Sequence, residues 1–131
     1  MASIRSAAVQ TRNLTKILVV EDEPLIRMDL ADTLRELGFF VFEASNADVA
    51  IRLLEADEDI AAVVTDVDMP GTMDGLALAF AVRRRWPPCR LIVVSGHRRP
   101  AANDMPDGSR FIRKPLATND LQRTLSDLGV S

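Results

Sequence analysis

Residues 61–75 read AAVVTDVDMPGTMDG, an apolar, β-branched run that stops at Asp66 and passes into a loop holding Asp68, Pro70-Gly71 and Asp74. The run is short, continuously apolar and bounded by turn residues, as expected of a strand buried on both faces. Working outward, KILVV (16–20) and RLIVV (90–94) have the same character, while Phe39–Glu43 and Arg110–Arg113 are weaker strand candidates. Helical patterns separate them. Pro24 suits a first turn, and Leu25, Met28, Leu30, Leu34 and Leu37 form a stripe that Gly38 ends. Ser45 or Asn46 can cap a helix carrying Val49, Ala50, Leu53 and Leu54. Asp74 can cap another over Gly75–Trp86, where Pro87-Pro88 prevents continuation. Leu116–Leu128 closes the chain, with Gly129 beyond it. Strands alternating with helices predict an α/β fold: a five-stranded parallel sheet, doubly wound, with helices on both faces. The connection HRRPAANDMPDGS (97–109) carries Pro100 and Pro106 and has little helical periodicity, so at most a distorted turn or two is expected there.

A chain of 131 residues with 47% hydrophobic and 27% charged residues fits one domain with a single core. We expect that domain over 16–131, after a loosely ordered extension at 1–15. A net charge of −3 gives no electrostatic footprint for nucleic acid. Cys89 is the single cysteine, which excludes an internal disulfide and a cysteine metal cage. The start lacks a signal-peptide apolar region, and no apolar run approaches the roughly 20 residues of a membrane span, so a cytoplasmic location is expected. The 16 basic residues comprise fourteen arginines and only Lys16 and Lys114, which makes each lysine worth locating.

In such a sheet, ligands bind beyond the carboxyl ends of the strands. The polar residues there are Glu21, Asp22 and Glu23 after the first strand, Asp66 and Asp68 after the third, Ser95 after the fourth and Lys114 after the fifth. Two carboxylates ~4 Å apart repel by about 4 kcal/mol at an effective dielectric of 20, so crowding them calls for raised pKa values or a cation. An oxygen-only donor set suits Mg²⁺, with Mn²⁺ as a second option, and a carboxylate beside such an ion can act as a nucleophile toward phosphorus.

The pieces ILVVEDEP (17–24), VVTDVDMPG…MDG (63–75), VVSG (93–96) and FIRKP (111–115) together resemble the receiver domain of bacterial two-component response regulators. The resemblance covers Lys16 to Leu128. It implies Asp66 as phosphoacceptor and a metal site of Asp22, Asp66 and the Asp68 backbone carbonyl, with Glu21 acting indirectly. It also implies Ser95 and Lys114 as phosphoryl contacts, Ser95 and Phe111 as switch positions and a cis bond before Pro115. Asp68 and His97 fall at positions that tune phosphoryl lifetime in the family, although His97 is read first as an exposed loop residue. Phe111 also reads as plain core. Glu23 reads as a solvated helix-start residue, and Arg83–Arg85 as a solvated helix end.

Two departures stand out. Gly71-Thr72 makes the loop after Asp66 one residue longer than the family pattern. The segment between Ser95 and Lys114 is short and proline-broken, so the family's fourth helix is expected to be reduced or remodelled, which leaves the partner surface and any homodimer open. The implied partners are a histidine kinase or histidine phosphotransfer protein and a downstream protein, with no nucleic acid and no membrane. If the chain is complete, it is a stand-alone regulator working by protein contact or phosphorelay. A binding-only receiver-like adaptor is the main alternative. DVDMPGT also resembles the nucleophile motif of haloacid-dehalogenase-type phosphatases, but here it ends the third strand instead of the first.

Overall fold

The computed structural model describes residues 14–69, 73–97 and 99–131. The elements run β1 (Lys16–Val20), α1 (Pro24–Glu36), β2 (Phe40–Ala44), α2 (Ala47–Ala56), β3 (Ile60–Asp66), α3 (Gly75–Arg85), β4 (Arg90–Ser95), a 3-10 turn (Ala102–Asp104), β5 (Arg110–Arg113) and α4 (Thr118–Asp127). All strand pairs are parallel, in the order β2-β1-β3-β4-β5.

Side-chain alternation along each strand divides the core in two. Ile17, Val19, Ala62, Val64, Ile92 and Val94 face α1 and α4, where Ala31, Leu34, Leu121 and Leu125 are buried. Leu18, Val20, Val63, Leu91 and Val93 face α2 and α3, meeting Ala50, Leu54, Leu78 and Val82. Successive strand residues are apolar because both faces are covered, so the runs are continuous. The predicted caps are present: Asn46 accepts from Val49 N at 2.9 Å and Asp74 from Ala77 N at 2.8 Å. Cys89 is buried, and burial pushes its thiol up to about 12, which leaves it unreactive at neutral pH.

The expected stripe on α1 needs correction. Leu25 and Met28 are 75% and 52% exposed, whereas Ala31 and Leu34 fill the core and Leu30 and Leu37 pack against it. The first two turns of α1 are largely exposed, so helical periodicity there does not mark a core face. Arg83 and Arg85 are also more engaged than a solvated helix end. Arg83 Nη1 donates to the carbonyl of Pro87 at 2.9 Å, and Arg85 lies over the Trp86 ring at 4.4 Å while pairing with Glu55 at 2.7 Å.

Between β4 and β5 the only helical element among the described residues is the 3-10 turn, in accord with the expected loss of a full helix. Pro100 and Pro106 are buried, and Met105 packs on the α2/α3 side of the core. The added Gly71-Thr72 and most of the N-terminal extension, residues 1–13, lie outside the described residues.

Candidate functional site

The strand order reverses between β1 and β3, and the loop carrying Glu21 and Asp22 and the end of β3 carrying Asp66 meet at that switch point. One carboxylate oxygen from each of Glu21, Asp22 and Asp66 lies within 4.8 Å of the others. Lys114 comes in from the end of β5, with Nζ 2.5 Å from Glu21 Oε1 and 3.4 Å from Asp66 Oδ1. The peptide that follows it, Lys114–Pro115, is cis.

Glu21 is the only buried acidic side chain among the described residues, at 2% exposure. Each of its oxygens is used: Oε1 accepts from Lys114, and Oε2 accepts from Glu23 N at 3.2 Å. Its backbone is held too, with Glu21 N donating to the Ala44 carbonyl at 3.0 Å. Burial of a carboxylate is tolerated when it is paired and hydrogen-bonded in this way. Glu21 is therefore a strut, while Asp22 and Asp66 point less encumbered oxygens at the same space. Burial and the neighbouring Glu21 carboxylate hold Asp22 above the usual carboxylate range, against the opposing pull of its own backbone and Lys114. Burial works to lower the Lys114 pKa, but its hydrogen bond to Glu21 and the charges of Asp66 and Glu21 together hold it above the usual value. Among the described residues, one ammonium faces three carboxylates. A hard divalent cation with oxygen ligands fits this imbalance, and Asp22 and Asp66 have the chemistry to hold it.

Asp66 is fixed through its main chain. Thr65 Oγ1 donates to the Asp66 carbonyl at 3.0 Å, Val67 N to Val94 O at 3.0 Å and Gly75 N to Val67 O at 2.9 Å. A Cβ on Gly75 would fall 1.6 Å from the Asp66 carbonyl oxygen, so only glycine lets α3 start this close to the strand end. Ser95 is buried at the end of β4, its hydroxyl accepts from His97 N at 3.3 Å, and its carbonyl accepts from Lys114 N at 3.0 Å. Glu23, Asp68 and His97 are exposed on the loops around this edge. Phe111 sits apart from them. It is half-buried in register with Val93, two residues short of Ser95, on the α2/α3 side of the sheet, with the Arg99 guanidinium 5.5 Å from its ring centre.

Sequence reading passed over Arg27 and Glu43. Arg27 Nη1 donates to the Glu21 carbonyl at 3.0 Å, and its Nε lies 3.5 Å from Glu43 Oε1. Neither partner is signalled by motif or spacing.

The sequence profile described as the response regulator receiver domain matches residues 17–126. The chain belongs to this family. It is 33% identical over 113 residues to an NtrX-like response regulator of Rickettsia bellii (strain RML369-C), covering 83% of this chain and 23% of that protein. It is also 33% identical over 116 residues to the sensor kinase CckA of Brucella abortus (strain 2308), covering 86% of this chain and 12% of the kinase. The chain thus spans about a quarter or less of the length of these two curated relatives. Among solved structures, a response regulator receiver domain protein from Clostridium thermocellum superposes with a TM-score of 0.81 at 28% identity, covering 88% of this chain and 94% of that one. A receiver protein from Sinorhizobium medicae WSM419 gives 0.80 at 29% identity, with the same coverage. Among the described residues of this receiver domain, no helix is long and apolar enough to cross a membrane.

Proposed function

We propose that this receiver domain accepts a phosphoryl group on Asp66 from the phosphohistidine of a kinase or phosphotransfer protein, and passes the signal on by protein contact or phosphorelay. The observation that carries this reading is the convergence of Asp22, Asp66 and Lys114 at the β1/β3 switch point. An Asp66 oxygen attacks phosphorus, a P–O bond forms as the P–N bond breaks, and the imidazole leaves as neutral histidine after taking up a proton. Asp22, Asp66 and the Asp68 carbonyl would hold Mg²⁺ or Mn²⁺, which would supply positive charge to the phosphoryl oxygens. Lys114 shifts from its carboxylate partners toward the new dianion, and the Ser95 hydroxyl donates to it. Asp68 and His97, exposed at the rim, bear on how long the acyl-phosphate survives water. Movement at Ser95 and Phe111 then biases a two-state equilibrium of the surrounding surface.

A donor must reach Asp66 from beyond the strand ends. The exposed Leu25 and Ile26 line, with Leu30, Leu116 and Leu121, an apolar groove that reaches Lys114, the partner of Asp66. We assign this groove to the phosphodonor protein, and a cytoplasmic setting follows from such a donor. The test is phosphotransfer from a cognate kinase with Mg²⁺: labelling is expected on the wild type and not on Asp66→Asn, and wild-type protein that takes no label from any competent donor would overturn the reading. Leu25→Ser should slow transfer from the kinase while leaving labelling by acetyl phosphate, which needs no docking surface, unchanged. An adaptor that works without phosphorylation predicts unchanged partner binding in Asp66→Asn.

A further inference from the structure

The loop that carries Glu21 and Asp22 has no regular secondary structure, yet its carboxylates must stay within an ångström or so of a workable position to bind a small cation. Three anchors hold Glu21, from the Ala44 carbonyl, from Lys114 and from Glu23 N. A fourth comes from α1. Arg27 lies one turn into that helix, where its own backbone N–H donates to the Glu23 carbonyl at 2.9 Å, and its side chain turns back so that Nη1 caps the carbonyl of Glu21 at 3.0 Å. Glu43 on β2, with Oε1 3.5 Å from Nε, pairs with the guanidinium and restrains it. Glu43 is fixed in turn by Arg35 Nη2 at 3.2 Å, and the same nitrogen donates to the Val41 carbonyl at 3.2 Å. Arg27 and Glu43 are both mostly buried.

We infer that Arg27, restrained by Glu43, is a positioning residue for the cation pocket: by holding the Glu21 carbonyl it sets the peptide that presents the Asp22 carboxylate. The inference rests on the proposed Mg²⁺ reading. The planar fork of arginine is needed because one side chain must reach a carbonyl and a carboxylate in different directions. The charge of Arg27 acts in the opposite sense. A cation at the Glu21 carbonyl repels a nearby Mg²⁺, so removing it for electrostatic reasons alone would tighten binding. The sign of the effect thus separates positioning from charge.

The experiment is calorimetric titration of the full chain with MgCl₂, well below the thermal midpoint of each protein, with that midpoint measured in the same samples. For Arg27→Gln we expect affinity to fall by about 10-fold, the lower end for residues that orient metal ligands from behind. Glu43→Gln should weaken it by roughly 3-fold and Arg27→Lys by a similar factor, since each keeps only part of the arrangement. Unchanged or tighter binding in Arg27→Gln would overturn the inference. If that variant does not fold, Arg27→Lys decides, because it keeps the charge, and unchanged affinity there overturns the inference equally. A wild type that fails to bind Mg²⁺ would instead bring down the metal reading itself.

Discussion

At the edge of the sheet where β1 begins, Lys16 Nζ lies 2.8 Å from Asp57 Oδ2; at the opposite edge, Lys114 meets Glu21 and Asp66 together, with Asp22 beside them. The first is a one-to-one ion pair in contact with water, with the Asp59 charge acting on Lys16 more weakly. Its hydrogen bond lowers Asp57 below the usual carboxylate range and raises Lys16. The second edge has three anions for one cation, and burial together with Glu21 raises Asp22. A balanced pair of this kind only joins β1 to the end of α2. An unbalanced cluster leaves a local field that a ligand can use.

Breaking the crowded end should have the largest effect. Lys114→Ala leaves Glu21 buried without its cation, and a destabilisation of roughly 2–3 kcal/mol is expected from chemical denaturation. Adding Glu21→Gln to that variant should recover most of the loss, and no recovery would mean that Lys114 acts through packing. A smaller effect of opposite sign is expected from Asp22→Asn. Without divalent ions it should raise the thermal midpoint by about 1–2 °C, the small size reflecting exposure to solvent. With Mg²⁺ in excess the wild type should gain stability by mass action and the variant should not, so their order reverses.

The balanced end should respond least, and to pH. Because the folded pKa of Asp57 is lowered, its contribution is present above the unfolded value near 4 and is lost as pH falls through the folded value. Because that of Lys16 is raised, its contribution is present below the unfolded value of about 10.4 and is lost as pH rises through the folded one. Asp57→Asn should therefore lower the midpoint slightly at neutral pH, and the difference from the wild type should shrink as pH falls through the folded value. A difference that persisted below that value would show that Asp57 acts through its backbone contacts, such as the bond from Asp59 N to Oδ1 at 3.0 Å.

How far the sequence is readable depends on whether a residue's partner is local or distant. Strands β1, β3 and β4 were legible because burial on both faces leaves an unbroken apolar run, and Asn46 and Asp74 because a cap bonds three residues ahead. The meeting of Asp22, Asp66 and Lys114 follows from the rule that strand ends converge in a parallel sheet. Leu25 and Met28 were misread because helical spacing reports periodicity and not burial. Arg27 was invisible because its partners are a carbonyl and a carboxylate 16 residues on, and neither leaves a pattern. The course of 97–109 was legible only as a loss of helix. Nothing in its composition said that Arg99 would lie over Phe111.

Gly75 bears on how this chain can drift. Helix α3 opens on a poor helix former, a cost of about 1 kcal/mol relative to alanine, and the Asp74 cap offsets a similar amount. No other residue fits, because the obstacle is the main chain of Asp66 and not its carboxylate. If the proposed phosphorylation were lost in a descendant, Asp66 and Lys114 would be free to change, but the chain would still be bound to glycine at 75. Inherited glycine at this position therefore records the architecture, and only the acidic and lysine side chains across from it can record whether the chemistry survives.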